Sequence, residues 1–293
     1  MFELSIGIMA YNEEANIGRL LSAITVQKLI RDRLKEIFVV ASGCTDRTVE
    51  IVKECAKKDN RLKLLVQPQR EGKASAINLF LEQAKGDIII LESGDTVPEP
   101  ETFRLLVEPF NDPSVGMTGA HPVPVNQKNT FIGFVVNLMW SLHHTIALGT
   151  PKLGELVAFR NVVRRIPRDT AVDEASIEAI IRDLGYTLRY VPGAAVHNKG
   201  PENIRDIIKQ RRRIAAGHKH LMQEHEYEVS TFSPKKIFRA LLQVHSWGFR
   251  DTLWTVGAIG LEIIGRILGY YDFYVRKRNP YIWDIASSTK KWD

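Results

Sequence analysis

The stretch Ile88-Ile89-Ile90-Leu91-Glu92-Ser93-Gly94-Asp95-Thr96 decides how this chain is read. Its apolar run is too short for a helix and ends in turn chemistry, so it reads as a buried strand. Val97-Pro98-Glu99-Pro100 then stops the element. An open α/β sheet binds ligands in the crevice outside the carboxyl ends of its strands, which is where Asp95 stands. A carboxylate there offers hard oxygen ligands suited to Mg²⁺ or Mn²⁺, the ions that travel with phosphates. Taken alone, an Asp before a Pro-containing turn is more often a turn residue. The rest of the chain has to supply its company.

Upstream, Leu4 to Met9 is a short apolar run ended by Tyr11-Asn12-Glu13-Glu14. Ile17, Leu20, Leu21 and Ile24 then recur at helical spacing, with Asn12 placed to cap that helix. Ile37 to Val40 and Leu62 to Val66 read as further strands. Helices are expected through Ile51 and Val52, capped by Asp46, and from Gly72-Lys73 through Ile77 and Leu81. Strands alternating with helices at this spacing predict βαβ units and an α/β fold with a mostly parallel sheet flanked by helices. Residues 1–200 are expected to form this unit. Residues 201–293 are expected to form a helical C-terminal region.

The chain has 293 residues, 44% hydrophobic and 25% charged, enough to bury a full core. Its net charge of +6 points to an anionic partner: a nucleotide, nucleic acid or a membrane surface. Two cysteines, Cys44 and Cys55, form neither a disulfide framework nor a metal-ligand spacing and suit a reducing cytoplasm. The amino terminus reads directly as a strand, so no signal peptide is expected. Residues 131–148 are apolar and helical, but Asn137, His143 and His144 make them a poor membrane span. Arg205 to His220 reads as a basic helix. Thr252 to Val275 is long enough to cross a bilayer yet carries Glu262, Arg266 and Asp272. It reads as a pair of interfacial helices or as a helix buried against protein. Trp247, Trp254, Trp283 and Trp292, with Lys235, Lys236 and Arg239, suit an anionic membrane surface.

Five segments carry the chemistry: Ala10-Tyr11-Asn12-Glu13-Glu14, Ser42-Gly43-Cys44-Thr45-Asp46, Glu71-Gly72-Lys73, Gly94-Asp95-Thr96 and Gln210-Arg211-Arg212-Arg213. In this order, at these strand ends, they resemble the family 2 inverting glycosyltransferases of GT-A fold. The likeness runs from about Leu4 to Gly217 and leans toward the membrane-associated polysaccharide synthases. Those carry Gln-x-x-Arg-Trp, where this chain has Gln210, Arg213 and then Ile214. Two further departures stand out. Ala41 and Ser42 replace the acids usual ahead of Gly43, and Ser93 replaces the first Asp of the metal motif.

The resemblance implies the following roles. Ala10, Tyr11, Asn12, Glu13 and Ser42 would border the nucleoside. Lys73, Gln210 and Arg213 would hold the diphosphate, and Asp95 would hold Mg²⁺ or Mn²⁺. Glu174 aligns with the catalytic base, with Asp173 its rival and Glu155 a third candidate. Physical chemistry supports several of these. Lys is unfavourable at the positive end of a helix, so Lys73 there favours an anionic ligand. Gln210 and Arg213 share one helix face, and a guanidinium fork grips two phosphate oxygens. Arg211 and Arg212 are expected to look outward, toward lipid headgroups. Asn12 and Glu13 fit a helix start as well as a ligand contact. His143, His144, His197, His218 and His220 follow no metal-ligand pattern and read as interfacial or core-edge residues.

The implied activity is sugar transfer from a nucleotide-sugar donor, UDP-linked first, to a lipid-linked or glycan acceptor at the cytoplasmic membrane face. No nucleic-acid partner is expected. Two other readings compete. A sugar-phosphate nucleotidyltransferase would want a Gly-rich signature near the amino terminus. A non-catalytic polyanion- or lipid-binding protein would be indifferent to Asp95 and Glu174.

Overall fold

In the computed structural model, residues 1–29, 32–225, 233–246, 248–282 and 287–290 are described below. Trp247, Trp283 and Trp292, expected at a membrane surface, lie outside these residues. The amino-terminal part alternates β1 (Glu3–Ala10), α1 (Ile17–Thr25), β2 (Arg33–Ser42), α2 (Thr48–Ala56), β3 (Leu62–Gln67), α3 (Lys73–Leu81) and β4 (Ile88–Ser93). A short β5 (Thr96–Pro98), α4 (Thr102–Val107), β6 (Val115–Pro124) and α5 (Phe131–Gly149) follow. Next come β7 (Val157–Arg160), α6 (Asp173–Asp183), β8 (Thr187–Asn198) and α7 (Ile204–His225). The described C-terminal helices are α8 (Pro234–Val244) and α9 (Phe249–Tyr274).

The strands form one sheet in the order β3-β2-β1-β4-β7-β6-β8-β5. Pairings β1–β2, β1–β4, β2–β3 and β6–β8 are parallel. β7 runs antiparallel to both its neighbours, and β5 antiparallel to β8. Alternation along β1 explains the layers. Leu4, Ile6 and Ile8 meet Ile17, Leu20 and Ile24 of α1 on one face. Met9 joins Phe38, Ile77 and Phe80 on the other. Gly7 sits under Phe80, where an added Cβ would lie 2.3 Å from the ring. Close approach of α3 to β1 therefore requires glycine there.

This topology places the site. Order reverses between β2 and β4 on either side of β1, and the loop after β1 opens at that switch point. Ala10 pairs with Ala41 and Met9 with Ser93, so Tyr11, Ser42 and Asp95 emerge along one edge. Because β7 is antiparallel, with Leu91 opposite Val157, the chain just before it reaches the same edge. That brings in Glu155, 60 residues after Asp95 in sequence.

Residues 249–274 form one continuous helix packed against α7, the second of the two alternatives expected there and not a helix pair. Arg211 and Arg212 do not face outward. Arg211 grips Glu262 with two hydrogen bonds, one at 3.0 Å, and Arg212 grips Asp272 with a partner distance of 2.6 Å. The charges that made α9 a poor lone span thus face α7, where they are paired. Gly265 and Gly269 let the helices close, since a Cβ on Gly269 would stand 2.5 Å from the Arg212 carbonyl oxygen.

Candidate active site

At the nucleoside end, Tyr11 follows β1 and the Arg70 guanidinium lies over its ring, 4.3 Å from the centroid. Asn12 is not a helix cap. It takes a left-handed conformation, φ 52°, which Asn tolerates better than most residues. Its Oδ1 accepts from the Thr45 backbone N–H at 2.8 Å. Asn12 therefore ties the β1 loop to the β2 loop, while α1 starts behind Asn16. Asp46 lies one residue before the α2 cap, which is Arg47, and from there accepts from the Thr48 N–H at 3.0 Å. Glu13 is buried, accepts from Asn16 at 3.0 Å, and pairs with Lys290. Burial and then the Asp95 charge push its carboxyl up to about 7 against the pull of Lys290. Ser42 lines the cavity, and its buried Oγ has no hydrogen-bond partner among the described residues.

At the diphosphate end, Gly72 adopts φ 93°, a left-handed turn that starts α3 and exposes Lys73 as its first residue. Lys73 Nζ lies 2.6 Å from Glu174 Oε1 and 4.0 Å from Asp173 Oδ2. Burial works against its charge, but Glu174 and Asp173 outweigh that and hold its pKa above the usual lysine value. Gln210 and Arg213 both line the same cavity from α7. Burial draws Arg213 below its ordinary value, opposed by the charges of Asp173, Glu174 and Glu155. A guanidinium among three carboxylates stays charged.

The carboxylates divide by environment. Asp173 opens α6 with 2% of its surface exposed, and its Oδ1 is buried with no hydrogen-bond partner among the described residues. Burial, against Lys73, raises it to about 7. Burial also penalises Glu174, but the Lys73 charge and hydrogen bond prevail and take it to about 2. Glu155, at φ 62°, is pushed up to about 7 by burial and by Asp95 and Glu174. Glu92 faces away from the cavity, bonded to Thr96, as strand alternation requires.

Asp95 is half-buried at the β4 end, beside Glu13 and Glu155, each of whose carboxyls its charge pushes up. Among the described residues no group of three His, Cys, Asp or Glu has metal-binding geometry. The arrangement therefore fits a hard cation held by one carboxylate, water and a ligand's phosphates, which is how Mg²⁺ is commonly bound. It does not fit an all-protein cage. His121 and His144 bring Nδ1 to the Tyr190 hydroxyl at 2.6 and 2.8 Å and His197 meets Glu99, whereas His143 and His218 line the cavity.

Every residue expected in the site except Asn12 lines one cavity of about 1270 Å³. Arg70 and Lys290 line it too and were not read from sequence. Arg70 carried a weak local signal, a cation just ahead of Gly72-Lys73. Lys290 carried none, being 277 residues from Glu13.

Residues 5–174, more than half the chain, match the sequence profile of Glycosyl transferase family 2. The chain belongs to that family. The span holds Tyr11, Lys73, Asp95, Asp173 and Glu174, while Gln210 and Arg213 lie beyond it. This family 2 glycosyltransferase is 26% identical over 289 residues to the probable glycosyltransferase YdaM of Bacillus subtilis, covering 93% of this chain and 68% of that one. It is 25% identical over 231 residues to the poly-beta-1,6-N-acetyl-D-glucosamine synthase of Staphylococcus aureus, covering 74% and 55%. The chain thus spans about half the length of that synthase. Among solved structures, the mannosyltransferase PcManGT of Pyrobaculum calidifontis superposes at TM-score 0.67 with 20% identity, over 92% of this chain and 88% of that one. That structure holds GDP-Man and Mn²⁺. S. aureus TarS with UDP-GlcNAc superposes at 0.52 with 15% identity, over 90% and 81%. Both likenesses concern the GT-A fold. Membership of a glycosyltransferase family displaces the nucleotidyltransferase reading.

Proposed function

We propose that this protein is an inverting, metal-assisted glycosyltransferase working at the cytoplasmic face of a membrane. One observation carries the mechanism. Asp173 presents a buried, unpaired carboxylate oxygen beside cations, in the cavity that also holds Asp95. A carboxyl raised to about 7 is tuned to take a proton from an acceptor hydroxyl near neutral pH. Its neighbour Glu174 is engaged by Lys73, which makes Glu174 the poorer base and the better positioning group.

As the acceptor oxygen attacks the anomeric carbon, its proton passes to Asp173. The bond from that carbon to the diphosphate oxygen breaks, and the electron pair leaves with the nucleoside diphosphate. Attack opposite the leaving group inverts the anomeric centre. Lys73 and Arg213 face the departing charge, and Gln210 shares their wall of the cavity. Asp95 is the residue that would hold Mg²⁺ or Mn²⁺, which when bound neutralises developing charge on the diphosphate. The Mn²⁺ and nucleotide sugars bound by PcManGT and TarS support this reading. Tyr11 and Arg70 supply the stacking platform for the base, with Glu13 and Ser42 beside them.

The membrane part rests on helix faces. Phe249, Leu253, Val256, Ile263, Ile267 and Tyr274 recur along the exposed side of α9, and Phe238 and Leu242 are exposed on α8. Lys235, Lys236 and Arg239 flank them. An apolar stripe with basic neighbours lies in an anionic leaflet. α5 and α9 are long and apolar enough to cross a membrane by length and composition alone. The paired charges of α9 favour lying on the surface.

The experiment is thermal unfolding with UDP, GDP, CDP and dTDP, each with and without Mn²⁺. Binding to the folded state alone raises the melting temperature. A Mn²⁺-dependent rise with one nucleotide is expected and names the base. No rise with any of them, in folded protein, would overturn the donor reading.

A further inference from the structure

Tyr11, Ser42 and Arg70 line the cavity and are tied to one another at the ends of β1, β2 and β3. Ser42 ends β2, and Gly43 follows it at φ 65°, its N–H donating to the Gln67 carbonyl at 2.9 Å. A Cβ on Gly43 would stand 2.6 Å from the Arg70 backbone nitrogen, so the loop after β3 is pressed directly against the β2 turn. From that fixed backbone the Arg70 guanidinium reaches over the Tyr11 ring, 4.3 Å from its centroid. Ser42 is 6% exposed, and its Oγ has no hydrogen-bond partner among the described residues. A buried hydroxyl left unmatched is costly unless something else bonds to it.

The carboxylates near this corner are committed elsewhere. Asp46 accepts from the Glu14 and Thr48 backbone N–H groups, both at 3.0 Å. Glu71 accepts from the Ser75 hydroxyl at 2.7 Å and lies outside the cavity lining. Glu13 is paired with Lys290. The corner therefore presents a donor fork on an aromatic platform, with one neutral hydroxyl beside it. A base sharing that platform lies side by side with the guanidinium and meets the fork by its edge. A planar fork binds two acceptors side by side. Guanine offers such a pair, O6 and N7, and Arg on that pair is the commonest specific contact proteins make to DNA bases. Adenine sets an amino donor beside N7, and thymine sets a methyl group beside O4. Uracil differs from thymine only in losing that methyl, so it too gives the fork one acceptor. Cytosine crowds its acceptors and its amino group onto a single edge. Here two separate loops, after β2 and after β3, converge, which suits a base read on two edges. Guanine carries its N–H donors on the second edge, where a hydroxyl oxygen can accept.

We propose that Arg70 selects the donor nucleotide and that it selects guanine, its fork taking O6 and N7 while Ser42 Oγ accepts an N–H of the Watson–Crick edge. This rests on the donor reading above and replaces the UDP-linked donor expected from the sequence. Arg70 is then a specificity-determining residue, distinct in role from Lys73 and Arg213, which face the diphosphate.

The test is calorimetric titration of the full chain, in Mn²⁺, with GDP, UDP, CDP, ADP and 7-deaza-GDP. GDP should bind roughly 5- to 150-fold tighter than UDP, CDP or ADP, the discrimination one bidentate contact provides. The 7-deaza analogue keeps O6 and lacks the N7 acceptor, and should bind several-fold more weakly than GDP. It is tested on the parent protein, so no folding defect can mask the answer. Arg70→Lys keeps the charge and loses the fork, and should bring GDP and UDP within about threefold of each other. A phosphate contact by Arg70 would instead weaken every nucleotide alike and leave the ratio unchanged. UDP, CDP or ADP binding as tightly as GDP would overturn guanine selection while the donor reading stands. Equal binding of the 7-deaza analogue, or an unchanged GDP-to-UDP ratio in folded Arg70→Lys, would overturn the role of Arg70. Binding of none of them, in folded protein, would overturn the donor reading itself and this proposal with it.

Discussion

Asp173→Asn separates base from bystander. In the folded chain Asp173 titrates near 7 instead of the usual 3.8. That is about three units, or roughly 4 kcal/mol in favour of the neutral acid. The consequence for catalysis is a limb in the pH–rate profile. With a base of pKa about 7, turnover should fall about tenfold per unit as pH drops below 7. Asp173→Asn should lower kcat by about 10²–10⁴, the usual contribution of a positioned base, and should abolish the limb. Stability moves the other way. A carboxyl raised on folding stabilises the native state most below its unfolded pKa, and that advantage is lost as pH rises toward 7. The Asn variant carries no such buried charge, so at pH 8 it should be more stable than the parent, by at most roughly 4 kcal/mol. The assay is nucleoside diphosphate release from pH 5 to 9, with urea unfolding at pH 8 alongside. Retained turnover, or a limb that survives in Asp173→Asn and disappears in Glu174→Gln, would refute the assignment and make Glu174 the base.

Asp95→Asn should keep its fold and lose Mn²⁺-dependent stabilisation by nucleotide, measured by the same melting shift. Lys73→Met leaves the part-buried Glu174 without its cation and should cost about 1–3 kcal/mol in urea unfolding at pH 7, with Glu174→Gln added on top recovering most of it. Glu174 is depressed from 4.5 to about 2 on folding, so the stability it contributes is present above 4.5 and lost as pH falls toward 2. The parent-to-Lys73→Met difference should shrink across that window. Gly269→Val would press a side chain against the Arg212 carbonyl and should destabilise by about 1–3 kcal/mol, visible as an early transition of the C-terminal helices.

How much of this was legible in the sequence depended on how local the cause was. The runs Leu4–Met9 and Ile88–Leu91 read as buried strands because hydrophobic continuity is itself the signal. Lys73 after Gly72 and Asp95 after β4 read as site residues because strand ends fix where ligands go. Asn12 failed as a cap because its partner is Thr45, across the sheet edge, and nothing local announces a left-handed Asn. Arg211 and Arg212 were expected to face outward, toward lipid headgroups, because their carboxylates lie 51 and 60 residues away on α9. The choice between Asp173 and Glu174 could not be read from an adjacent pair of acids. Lys73, 101 residues from Glu174, is what gives the two carboxyls different environments.

The most direct measurement is proton NMR of donor turnover, with the nucleotide sugar matched to whichever nucleotide stabilises the protein in the presence of Mn²⁺. From an α-linked donor the account predicts release of the nucleoside diphosphate and first appearance of a β-configured product, both suppressed in Asp173→Asn. A product that retains the α configuration, or no diphosphate release from folded, nucleotide-binding protein supplied with lipid-linked sugar, would contradict it.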